Sequence, residues 1–172
     1  MTTVAIVAVL TGSCGGSDRV SVPAYETSVC SAVKGYLADT RANSRTAAAA
    51  VSGDPVKGKT LLGDYLDQQI RATDTLVSKL QDAGSPDVPD GDRIAGRIRD
   101  AFATAQSGLR KVRSEVEALP TGNVQAFSDA AQKLAEELRQ VFDGTGTALD
   151  GLKSPELEKA AKANATCQSI GA

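Results

Sequence analysis

The chain has 172 residues with 19 basic and 21 acidic side chains, a net charge of −2, which is enough for one domain and short for two. The two signs of charge are interleaved along the chain, leaving no field and no basic stripe to draw in nucleic acid. Aromatic residues make up only 3%, and tryptophan and histidine are absent; a core of Ala, Val, Leu and Ile suits closely packed helices better than a sheet sandwich, and without histidine the usual general base, the Ser-His and Cys-His pairs and the commonest zinc ligand are lost.

The first element is Val4 to Leu10, an apolar run far shorter than the roughly 20 residues a membrane-spanning helix needs. It fits the apolar core of a secretory signal. Thr11, Gly12 and Ser13 follow, then Cys14, then Gly15, Gly16 and Ser17. This order resembles the lipobox of bacterial lipoproteins, in the style of small secreted actinobacterial ones. Thr11 stands where that family prefers leucine. The resemblance implies that residues 1–13 are a removed signal peptide and that Cys14 carries the lipid, diacylglyceryl and palmitate, that anchors the protein to a membrane. No basic residue precedes Val4, so the signal is expected to start upstream of Met1. Residues 14–23 read as a flexible tether, rich in Gly and Ser, and residues 24–172 as a helical bundle domain.

Four long helices are predicted. The first runs from about Ala24 to Val51, with Val29, Val33, Tyr36, Leu37 and Thr40 near helical spacing, and ends at Gly53. The second covers about Pro55 to Ala83, with Leu62, Leu66, Gln69, Thr73, Leu76 and Leu80 on one face. Gly84 and Pro86 stop it. The third, about Asp90 to Leu119, has the cleanest stripe: Ile94, Ile98, Phe102, Ala105, Leu109, Val112 and Val116. The fourth, about Asn123 to Leu149, buries Val124, Phe127, Ala131, Leu134, Leu138, Val141 and Phe142. Gly144 and Gly146 weaken its last turns and predict a kink or a close crossing there. Ser154 as N-cap and Pro155 at the first helical position open a short last helix to about Ala165 or Ser169. Short loops force consecutive helices to run antiparallel. The expected fold is all-α: an up-down-up-down four-helix bundle with a short C-terminal helix.

With Cys14 assigned to lipid by the lipoprotein resemblance, Cys30 and Cys167 remain as an even pair. In an oxidising compartment they are expected to form a disulfide. An even number of long helices brings the chain's end back to the pole where the first helix starts, so topology and pairing agree.

Several motifs offer chemistry. Gly53 to Thr60 matches GxxxxGK[ST] and resembles the P-loop of nucleotide-binding proteins, in which Lys59 would reach phosphate and Thr60 a magnesium ion. That loop needs a buried strand before it, whereas a helix-favouring alanine run precedes Gly53; nucleotide binding at 53–60 is the remote alternative. Asp87, Asp90 and Asp92 share a loop but lack the calcium-binding spacing and a closing Glu; loop solvation and an N-cap at Asp90 or Asp92 is the better reading. Glu115 with Glu117, and Glu136 with Glu137, do not face one another on a helix. Tyr36 and Tyr65 fall on stripe edges, where ring packing with a wet hydroxyl is expected.

No catalytic residue, no cofactor and no metal ligand is assigned. The expected protein is a non-enzymatic cell-envelope lipoprotein, extracytoplasmic and lipid-anchored at Cys14, binding an unidentified protein or envelope ligand and no nucleic acid. The alternative is a small-molecule or lipid carrier with a cavity between helices.

Overall fold

The computed structural model describes residues 19–50, 53–150, 152 and 154–170, with residues 44–50 described by backbone alone. Proline and glycine punctuate it where the sequence places them. Helix α1 is Val22–Ala50, α2 Pro55–Asp82, α3 Gly91–Val116 and α4 Val124–Asp150. Gly53, with φ 104°, takes the left-handed turn after α1, a conformation cheap only for glycine. Asp54 then caps α2, its side chain accepting from the amides of Val56 and Lys57, with Pro55 opening the helix. Ser154 caps α5 (Pro155–Ala163) through the Leu157 amide. The predicted last helix is broken once: Asn164 leaves helical geometry, ends α5, and caps a short α6, Ala165–Gln168, through the amides of Thr166 and Cys167.

The sequence gives no warning of a two-residue parallel pairing, β1 (Arg19–Val20) with β2 (Ser85–Pro86). Two residues carry no readable period. Helix α1 opens two residues before the expected Ala24. Asp90 precedes α3 as expected, but with φ 61° and no side-chain cap bond. The loop instead turns tightly enough that a Cβ on Gly91 would lie 2.0 Å from the Pro86 carbonyl oxygen.

Consecutive helices pack as antiparallel neighbours: α1 on α2, α2 on α3, α3 on α4, with α5 and α6 returning to α1. The core follows this order in two halves. At one pole α2, α3 and α4 close around Leu66, Leu109, Val112, Val116, Phe127 and Leu134. At the other, α1, α2 and α3 close around Ala32, Leu76 and Leu80, with Tyr36 and Phe102 packed alongside in an edge-to-face ring contact at 6.4 Å. Among the described side chains, α1 contributes to the second cluster and α4 to the first.

Gln69 sits in the middle of α2 at 0% exposure. Its carbonyl oxygen accepts from the Thr40 hydroxyl at 3.2 Å, while its amide nitrogen has no partner among the described residues. An unpaired buried donor of this kind costs about 1–3 kcal/mol. Its place in the apolar stripe was visible in sequence; the missing partner was not.

Gly144 and Gly146 do not make the expected close crossing. Helix α4 runs through both, and a Cβ on either would meet nothing within 4 Å. The close approach is at Gly108 on α3, where a Cβ would lie 2.6 Å from a Val141 methyl. Beyond that crossing α4 buries no side chain.

Candidate functional site

At the pole where the chain begins and ends, α1 presents Glu26 and Cys30 one helical turn apart, a spacing that stacks side chains on one face. Cys167, on α6, reaches Cys30: the sulfurs are bonded at 2.06 Å, with the Cα atoms 5.0 Å apart across 137 residues of chain. Asn164 anchors the same segment by donating to the Thr27 hydroxyl at 2.9 Å. The expected disulfide is present.

The unexpected member of this cluster is Glu26, only 8% exposed. Its Oε2 lies 3.8 Å from both Cys30 Sγ and Cys167 Sγ. Disulfide sulfurs carry no hydrogen, so they donate nothing to the carboxyl. Among the described residues no N–H or O–H group donates to it. Burial away from water raises the Glu26 carboxyl above the ordinary glutamate range, because desolvation penalises the charged form. A cavity of about 220 Å³ opens beside it, lined also by Ile94, Ile98, Ser154 and Leu157. Tyr25, the next residue, is 3% exposed. Burial first, and the neighbouring Glu26 second, push its phenol up to about 12, with Arg99 pulling the other way. A signal for Glu26 did exist in the sequence: a carboxylate four residues before a helical cysteine. Nothing there showed that the position faces inward.

The second feature is a trough of about 670 Å³ between α3 and the outer half of α4. It includes the point where Gly108 lets Val141 approach and continues along the outer half of α4. Ala101 and Thr104 line one wall, Thr145 and Ala148 the other, and its α3 wall runs from Arg97 to Lys111, about 21 Å at 1.5 Å per residue. Lys111 is already held by Glu115 at 3.0 Å and Glu137 at 2.9 Å.

The other motifs are placed as follows. Lys59 and Thr60 lie within α2, not on a phosphate loop; the Lys59 ammonium donates to the Glu117 carbonyl at 2.5 Å, and the Thr60 hydroxyl to the Val56 carbonyl. The element before Gly53 is helix α1, where a phosphate loop needs a strand. Arg19 bridges Asp87 at 3.7 Å and Asp92 at 3.2 Å, and Arg93 bridges Asp90 at 2.7 Å, so the acidic loop is met by arginines. A hydrogen bond from Ser85, then Arg19, lower the Asp92 carboxyl. Glu117 pairs with Arg113, and Glu136 with Arg139; hydrogen bonds from Arg139 and Gln140 hold Glu136 at about 2. Cys14, the signal residues and the side chains of residues 47–50 lie outside the described residues. Among those described, no helix is long and apolar enough to cross a membrane.

Fold and site together define an all-α array of antiparallel helices clipped end to end by one disulfide. Comparison with family models, curated proteins and solved structures finds no match for this chain.

Proposed function

We propose that this is a non-enzymatic, extracytoplasmic binding protein, held to a membrane by lipid on Cys14 and presenting its α3–α4 trough to a protein or envelope component. The observation that carries the proposal is the Cys30–Cys167 disulfide. Such bonds persist outside reducing compartments, and its presence leaves Cys14 as the odd cysteine beside a lipobox-like run. The trough supports the binding half of the reading. It is a concave surface of about 670 Å³ walled mainly by small and apolar side chains.

A second reading, carriage of a small amphipathic molecule, is favoured by the trough's volume, which falls within the usual range of small-molecule sites. Its open side favours a larger partner.

One preparation tests both. Protein extracted from its own host's membranes is weighed intact, first denatured and then under native conditions. The expected result is loss of residues 1–13, a diacylglyceryl mass on Cys14, and two hydrogens fewer at Cys30 and Cys167. A soluble, unmodified chain retaining residues 1–13 overturns the anchored reading. A small molecule that co-purifies with wild type and is lost from Thr104→Trp decides for the carrier.

A further inference from the structure

We propose that Glu26, Cys30 and Cys167 form, in the dithiol state of the chain, a site for one thiophilic divalent cation of the zinc class. The proposal stands apart from the trough and from the lipid anchor.

The donor set is the first ground. One carboxylate oxygen and two sulfurs, from α1 and α6, lie within 4.8 Å of one another. Soft thiolates with a single hard oxygen suit zinc over calcium or magnesium.

The distances are the second. Tetrahedral zinc, with Zn–S of about 2.3 Å and Zn–O of about 2.1 Å, sets sulfur and oxygen about 3.6 Å apart and the two sulfurs about 3.8 Å apart. Glu26 Oε2 is already 3.8 Å from each sulfur. Only the sulfur pair must open, from a bonded pair to the spacing of two ligands on one metal.

The third ground is the state of the carboxyl. A disulfide that served only to clip the ends together would be as well packed against leucine. Instead a glutamate, 8% exposed as a residue, stands there at the edge of a cavity, with its Oε2 3.8 Å from both sulfurs and no N–H or O–H donor to it among the described residues. A cation bound between the sulfurs would give that carboxylate a charge partner. The adjoining cavity, about 220 Å³, holds room for a water as fourth ligand.

The chemistry balances as follows. An external dithiol supplies two electrons and two protons, breaking the Cys30–Cys167 bond and closing to its own disulfide. The cation then displaces both thiol protons, and the carboxyl proton where one is held, into solvent. Two metal–sulfur bonds and one metal–oxygen bond form, and no electron moves in that step.

The test uses the full chain carrying Cys14→Ser, so that only two thiols remain. It is reduced anaerobically with a phosphine, which competes little for metal, and titrated with Co²⁺ and then Zn²⁺ while helicity is followed by circular dichroism. The expected result is one equivalent of cobalt with sulfur-to-cobalt charge-transfer absorption, displaced by one equivalent of zinc, on a chain that stays helical; the oxidised chain shows none. Glu26→Gln, which keeps shape and both thiols, should weaken zinc at least tenfold. Absence of the cobalt–sulfur band, equal affinity in Glu26→Gln, or binding only to a chain that has lost its helices would each overturn the proposal.

Discussion

Tyr25 carries no expectation from the sequence, where it stands outside the apolar positions assigned to the first helix. The fold seals it beneath Ala83 and Ala95 and moves its phenol from 10.0 to about 12. The folded state therefore keeps its proton where the unfolded state loses it. Below pH 10 that preference has no effect on stability; between pH 10 and 12 folding is progressively disfavoured, by on the order of 2 kcal/mol at the upper end. Chemical denaturation at pH 9 and pH 11.5 should show a fall in stability that is smaller by about that amount in Tyr25→Phe; an identical fall in both proteins would place the phenol in water. Glu26 and Gln69 escaped the sequence for the same reason as Tyr25. Helical spacing tells which residues share a face. It does not tell whether a polar member of that face finds a partner once buried.

At the scale of elements the sequence was readable wherever proline, glycine or a capping side chain marked an end. Gly53, Asp54, Pro55, Ser154 and Pro155 set their boundaries to within a residue or two, because each acts through local backbone geometry. What was not readable was set by tertiary approach. The β1–β2 pairing is too short to have a period, and the crossing expected at Gly144 falls at Gly108. Gly91 is the sharpest of these positions. Its alanine variant would drive Cβ into the Pro86 carbonyl, and either α3 or the loop must shift. Gly91→Ala should cost at least about 2 kcal/mol. Gly96→Ala, one turn further along the same helix and open around its Cβ, should instead gain up to about 1 kcal/mol. Urea titrations of the two variants make the comparison; equal effects would show that helix propensity, rather than contact, decides at residue 91.

For the whole molecule, the all-α class and the helix order followed from composition and spacing, and the Cys30–Cys167 pairing from setting Cys14 aside on the lipobox resemblance, with the count of long helices in agreement. The division of the core into two halves did not, since a stripe shows a buried face without naming its neighbour. That division gives the disulfide its weight. The first helix has no large contact with the fourth, so the return of α5 and α6 is what secures α1's outer flank. Closing 137 residues is worth about 5 kcal/mol in the chain-entropy account, and commonly less. The Cys30→Ser, Cys167→Ser double variant should lose about 2–5 kcal/mol, read as a lower denaturation midpoint. Proteolysis of that variant should cut first around α5 and α6. A midpoint unchanged from wild type would mean the helices hold the ends together unaided.

The neighbour-to-neighbour order of packing also bears on how the protein is born. Each long helix finds its main partner in the one made just before it, so a chain emerging N-terminus first can assemble stepwise, with few distant contacts to wait for. The cross-link is the exception. Cys30 leaves first and remains a solitary thiol until 137 more residues have followed. Throughout that interval it stands one turn from an acid that no other group has claimed. The arrival of Cys167 therefore decides whether α1 is locked.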